Sequence, residues 1–210
     1  MNIDVNTVRL LGAAQLIVIV GGLITERLLA SAVGSGSISE MLVNISDNLN
    51  RMRISNLAAL AIQATAMVVM GVLYYVVFYK EYEIIALVAL GCFLTAAIVF
   101  VVSKIGANAL IPLSQKFVEA GAPEASYFQT LGDFSYNSVD KRGYDINFLF
   151  SSLGFLLVNY LLLTSNAIPR ALSIWAFAAV FLALIPAVLQ LYKRDAFPLA
   201  MILVIPYAPT

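Results

Sequence analysis

Six polar or charged side chains lie near the ends of long apolar stretches and are the first candidates for chemistry. A polar group inside a membrane is costly, so each of them suggests a function. Glu26 ends the first stretch on a stripe that also contains Gln15 and Gly22 at helical spacing. The stripe predicts that Glu26 faces the interior of a helical bundle. The six residues, called here the polar vestibule, are Glu26, Arg53, Lys104, Asn108, Asp145 and Asn147.

The vestibule follows from the direction of successive helices. Lys104 and Asn108 end the third apolar stretch, Arg53 precedes the second, and Asp145 opens the fourth. Because consecutive spans alternate in direction, all these ends are expected at one membrane face. An Arg or Lys within about 4–6 Å would keep the Glu26 carboxylate ionised, for proton or cation handling or for a structural role. Ordinary interfacial charges that never meet are the competing interpretation.

Composition excludes several classes of function. Of 210 residues, 61% are hydrophobic and 11% charged, far from the roughly 25% charged residues of a soluble domain. Histidine is absent and cysteine occurs once, so the usual haem, zinc and nucleophile arrangements cannot form. We therefore expect no catalytic residue set, no metal and no cofactor. The 12 basic residues balance 12 acidic ones, which argues against nucleic-acid binding.

The apolar stretches predict an all-α integral membrane protein, a single bundle over residues 1–210. A helix needs about 20 apolar residues to cross the hydrocarbon core. A sixth stretch has 14 residues and is too short to cross, so we expect a partial or truncated last span. The five complete spans are predicted near 9–31, 54–79, 84–111, 146–168 and 170–192, with the partial one at 197–210.

Two long loops, between spans one and two and between spans three and four, should share one side. That side holds nine basic residues against three on the other, so the positive-inside rule favours an external amino terminus and cytoplasmic long loops. In the second loop, a short surface helix is predicted after Pro123. Its apolar face would contain Tyr127, Phe128, Leu131 and Phe134, resting on the bundle or in the membrane interface.

Small and amide side chains should hold the helices together. Asp47 or Asn48 is expected to cap the helix of span two. Isolated intramembrane amides usually hydrogen-bond neighbouring helices, and glycines allow close approach. The amides are Gln15, Gln63 and Asn159, and the glycines are Gly21, Gly22, Gly71, Gly91 and Gly154.

Several segments together resemble a known family. They are residues 9–12 (Arg-Leu-Leu-Gly), 22–27 (Gly-Leu-Ile-Thr-Glu-Arg), Asn50 with Arg53, and 163–170 (Leu-Thr-Ser-Asn-Ala-Ile-Pro-Arg). The chain resembles the prokaryotic membrane family called domain of unknown function 4386. The resemblance implies six transmembrane helices with no assigned activity, a last helix cut short at Pro209-Thr210, and an orientation opposite to the one from the charge count.

Three classes of function follow from these observations. The first is a non-catalytic accessory or structural subunit of a larger membrane complex, in contact with lipids and other membrane-protein subunits. The second is a small transporter or a lipid- or small-molecule-binding bundle that uses the polar vestibule around Glu26. The third is an intramembrane enzyme, for which Glu26 and Asp145 are the acid–base candidates. The prokaryotic plasma membrane is the expected location.

Overall fold

The computed structural model describes residues 5–123, 127–165 and 169–192, and these residues form helices without strands. Two of the helical segments are π-helical, Ala59–Ala64 and Phe134–Lys141. The α-helices are α1 (Val5–Val33), α2 (Ile38–Asp47), α3 (Leu49–Ala58), α4 (Thr65–Glu119), α5 (Tyr127–Asp133), α6 (Arg142–Ser165) and α7 (Arg170–Tyr192). The all-α prediction is confirmed for this part of the chain.

Four helical runs are long and apolar enough to cross a membrane. They are Arg9–Val33, Leu49–Glu119, Tyr127–Ser165 and Arg170–Tyr192. The last begins at Arg170, the residue predicted for the start of span five. Four runs differ from the expected five complete spans and a partial sixth, because spans two and three belong to one run. The predicted partial span at 197–210 lies outside the described residues.

The second run reverses direction at Tyr82, whose backbone leaves the helical region (φ −136°, ψ 42°). The rings of Tyr74 and Phe93 stack with centroids 5.8 Å apart. In a continuous helix these two residues would be separated by about 28 Å along the axis. The run is therefore a helical hairpin, and the predicted break between residues 79 and 84 is confirmed. Counting its two arms separately, the described chain has five long helices.

The described residues fall into two compact units. The first comprises Met1–Ala14, Met67–Ala97 and Asp145–Thr210, as far as these are described. Its core surrounds Phe93, which is fully buried and meets the ring of Phe155 edge-on at 5.1 Å. A Cβ atom on Gly71 would lie 2.9 Å from Cβ of Phe93, so this glycine permits the close approach predicted for it. Gly91 has open space instead.

The second unit, Gln15–Ala66 and Ile98–Tyr144, contains most of what the sequence suggested were loops. Both connections are largely helical and share a hydrophobic core, because their own apolar side chains pack on the ends of α1 and α4. The fully buried members of this core include Leu42, Ile45, Met52, Leu110 and Phe117. The long-loop side is thus a packed helical layer.

The predicted surface helix exists as α5, but its packed face differs from the predicted one. Gly132 contacts Leu42, and Phe128 packs against the core of the second unit. Tyr127 and Phe134 are 72% and 57% exposed. The packed face therefore contains Phe128 and the small Gly132, which allows α2 to approach, whereas Tyr127 and Phe134 lie outside it.

Helix α2 begins with a capping box that the sequence pattern Ser-x-x-Glu signals. Ser37 Oγ accepts from the amide of Glu40, and the Glu40 carboxylate accepts from the amide of Ser37 at 2.9 Å. The predicted cap of the next helix is wrong: Asn48 makes no side-chain cap bond to α3. Its Nδ2 donates instead to the carbonyl of Asn44 at the end of α2.

Replacing Ser37 by alanine should loosen the start of α2. An N-cap substitution costs about 1 kcal/mol, so we expect amide hydrogen exchange over residues 38–41 to accelerate about fivefold. Ser46→Ala, in the same helix, is the matched control, since this hydroxyl makes no hydrogen bond within the described residues. Equal exchange in the two variants would contradict a role for the capping box.

Candidate functional site: a buried lysine–aspartate pair

The most unusual polar feature of the second unit is an ion pair inside the protein. Lys104 Nζ lies 2.7 Å from Asp140 Oδ1, and the two side chains are only 8% and 6% exposed. Lys104 belongs to the second arm of α4, and Asp140 to the π-helical stretch Phe134–Lys141. The ammonium also lies 5.1 Å from the centroid of the Phe100 ring. These contacts partly compensate the cost of taking both charges out of water.

A chain of amides connects the ion pair to α3. Asn108 Nδ2 donates to the carbonyl of Lys104 at 2.8 Å, one turn back in α4. Asn56 Nδ2 in turn donates to Asn108 Oδ1 at 3.3 Å. Asn56 is buried at 2% exposure, whereas Asn108 is exposed, so this bond runs from the interior toward the surface. The cluster Lys104–Asp140–Asn108–Asn56, called here the polar cluster, therefore links three helical segments.

Small residues allow the segment that carries Asp140 to lie directly on α4. A Cβ atom on Gly106 would lie 2.5 Å from the carbonyl oxygen of Ser135 and 2.8 Å from Cβ of Val139. At Gly143, a Cβ atom would lie 2.3 Å from Cβ of Ser103. Neither glycine leaves room for a larger residue. This close contact holds Asp140 within reach of Lys104.

A second group of polar contacts joins α1 to the neighbouring helices. Gln63 Nε2 donates to Thr25 Oγ1 at 2.5 Å, and Ser55 Oγ donates to the Thr25 carbonyl at 3.2 Å. Thr25 Oγ1 itself donates to the Gly21 carbonyl at 2.9 Å. Gly21 faces Ile62, where a Cβ atom would come within 2.7 Å of the Ile62 side chain. Gln63 thus bonds across helices, in the manner expected of an intramembrane amide.

The predicted orientation of Glu26 is wrong. Glu26 and its neighbour Arg27 are exposed, whereas Thr25 is buried. The packed face of α1 contains Ala14, Gly21, Thr25 and Ala32, about one residue before the predicted stripe. One residue corresponds to a rotation of about 100°. Close packing at Gly21 selects this face.

The other sequence-predicted residues are distributed as follows. The structure brings Lys104 and Asn108 together, whereas Arg53 is exposed. In the first unit, Asp145 is half-buried, and Asn147 Nδ2 donates to the Ala96 carbonyl at 2.8 Å. Asn159 Nδ2 donates within α6 to the Phe155 carbonyl, and Gln15 is half-buried in α1.

Asp140 and Asn56 are the site residues that sequence reasoning missed. Lys104 is a lone cation following an apolar stretch, and such a residue requires a carboxylate partner. This requirement was the only indication in the sequence that an acidic residue such as Asp140 belongs to the site. In the sequence, Asp140 is one of three loop carboxylates with Asp133 and Asp145, and their separations of 7 and 5 residues do not match a calcium-binding EF-hand loop. Since the intervening segment is long, sequence alone could not choose among the acidic residues within its reach.

The cluster can hold helices together or carry a proton, but it contains a single carboxylate. Among the described residues, no three His, Cys, Asp or Glu side chains lie together as a potential metal site. The arrangement therefore provides one buried charge pair and a hydrogen-bonded framework around it.

Comparison with known proteins agrees with the motifs noted in the sequence. A family model described as "Domain of unknown function (DUF4386)" matches residues 10–209. Searches of curated proteins and of solved structures find no match. The match covers nearly the whole chain, so the resemblance inferred from residues 9–27 and 163–170 is confirmed. The protein belongs to the DUF4386 family.

Proposed function

We propose that this protein is a non-catalytic integral-membrane protein that serves as an accessory or structural subunit of a larger membrane complex. The observation that carries this proposal is the way its interior polar groups are used. Lys104 binds Asp140, Asn56 binds Asn108, and Gln63 binds Thr25. Side chains that bind one another in this way stabilise a bundle and are not directed toward a substrate.

The outer faces support the same proposal. Large apolar side chains are exposed on α1, α4 and α7: Leu23 is 65% exposed, Ile84 78% and Trp175 61%. Exposed apolar surface of this extent is suited to lipid and to the helices of partner subunits. We infer that such contacts are the protein's main interactions.

The membrane arrangement that accompanies this proposal has five complete spans. The hairpin at Tyr82 supports treating its two arms as separate spans. The nine basic residues on the long-loop side support a cytoplasmic position for that side and an external amino terminus. A prokaryotic plasma membrane is the proposed location.

The subunit proposal is tested by extraction of the protein from its native membranes in mild detergent. We expect it to migrate in a complex with partners at a fixed ratio, unchanged across several detergent concentrations. Cross-linking before extraction should give the same partners, which distinguishes a complex from mixed micelles. A protein that migrates alone from native membranes, with or without cross-linking, would contradict the proposal.

A small transporter is the second candidate, and the buried charge pair favours it. Lys104 lies 22 residues beyond Tyr82, a rise of about 33 Å, which places it near one edge of the hydrocarbon core. Ionisable residues that face the interior of a membrane bundle often mark a substrate or ion pathway. Solute flux into liposomes that is lost in Asp140→Asn but retained in Glu26→Gln, at an exposed carboxylate, would replace the subunit proposal.

A further inference from the structure

An open groove on α1 combines an apolar surface with a cation at one end. Its volume is about 370 Å³, and it is lined by Val20, Leu23, Ile24, Arg27 and Leu28. Leu23 and Ile24 are 65% and 52% exposed, so the groove is accessible from outside the bundle. Among the described residues that line it, Val20, Leu23, Ile24 and Leu28 have purely hydrocarbon side chains, and Arg27 carries a guanidinium. A ligand that matches this surface has an apolar chain and an anionic group.

Arg27 is available to bind that anionic group. It is exposed and forms no ion pair within the described residues. Glu26 is exposed but is not among the described residues that line the groove. A planar guanidinium favours oxyanions that accept two parallel hydrogen bonds, and phosphate is among the best of these.

The groove also has the dimensions and position of a lipid contact. From Val20 to Arg27 the helix rises about 10 Å, enough for the upper half of an acyl chain. Arg27 follows an apolar stretch of α1, at the level where a snorkelling side chain meets the headgroups. We propose that this groove binds one glycerophospholipid, with an acyl chain along Val20 and Ile24 and the phosphate on Arg27.

The test uses the full-length protein in a mild detergent, titrated with phosphatidylglycerol or with diacylglycerol of the same acyl chains. Native mass spectrometry counts the lipids retained per chain. We expect one phosphatidylglycerol to be retained more strongly than the others, and no equivalent retention of diacylglycerol. Arg27→Gln should weaken this retention about three- to tenfold, the loss expected for a charge-assisted contact.

Matched variants separate this site from general effects of charge and apolarity. Arg53→Gln removes another exposed arginine outside the groove and should leave retention unchanged. Ile24→Ser should reduce retention, whereas Ile19→Ser, at a similarly exposed position outside the groove, should not. Equal loss in Arg27→Gln and Arg53→Gln, equal retention of the two lipids, or a second copy of the chain in place of lipid would each overturn the proposal.

Discussion

Asp140→Asn is expected to lower the free energy of unfolding by about 3–5 kcal/mol, the range for removing one partner of a buried ion pair. Asparagine keeps the size of the side chain, so the loss comes from the charge. Lys104 Nζ, now 2.7 Å from a carboxylate oxygen, would remain buried without a counter-charge. The full chain is unfolded with denaturant in detergent micelles. A spectroscopic signal of the folded bundle, recorded against denaturant concentration, gives the free energy of unfolding.

Two further variants show whether loss of the Lys104–Asp140 charge pair causes the lower stability of Asp140→Asn. Asp47→Asn removes an exposed carboxylate of the same unit and should change stability by less than about 1 kcal/mol. Lys104→Met combined with Asp140→Asn should recover part of the loss, because neither charge is then left buried alone. If Asp140→Asn behaved like Asp47→Asn, the pair would have no structural role.

Gly106→Ala is expected to destabilise the second unit by about 1–3 kcal/mol, the usual cost of overpacking. The added methyl would lie 2.5 Å from the Ser135 carbonyl oxygen, and a backbone atom cannot rotate away. α4 and the segment that carries Asp140 would have to separate. We therefore expect the same unfolding experiment to show a lower midpoint, together with faster hydrogen exchange over residues 134–141.

Gly91→Ala is the control for this second variant. Gly91 lies on the same arm of α4, and apart from its chain neighbours and the adjacent backbone of its own helix, no described atom lies within 4 Å of the position of its added Cβ. Alanine is the better helix former by about 0.5–1 kcal/mol, so this variant should match or exceed the parent protein in stability. A loss in Gly91→Ala as large as that in Gly106→Ala would show that the contact with Ser135 is not the cause.

The prediction of which face of α1 is packed was wrong, because an apolar sequence pattern does not identify that face in a membrane helix. A membrane helix is apolar on most sides, because lipid and neighbouring helices are equally hydrophobic, so the pattern of apolar residues does not distinguish the packed face from the lipid face. In α1, Leu23 and Ile24 are exposed while Gly21 and Thr25 are buried. Close packing of Gly21 on Ile62 selects the orientation of α1. Ile62 lies in the helical segment that continues α3, so the residues of α1 alone do not reveal which face is packed.

The sequence by itself determined the all-helical class with helices long and apolar enough to cross a membrane, the break near Tyr82, the start of α7 and the existence of α5. These features depend on local chemistry: the length of apolar stretches, the polar residues between them and the spacing along one helix. Only the tertiary structure paired Lys104 with Asp140, turned Glu26 outward and made the long connections into a packed layer. Such contacts join residues distant in the chain, and close packing at Gly21 and Gly106 selects them.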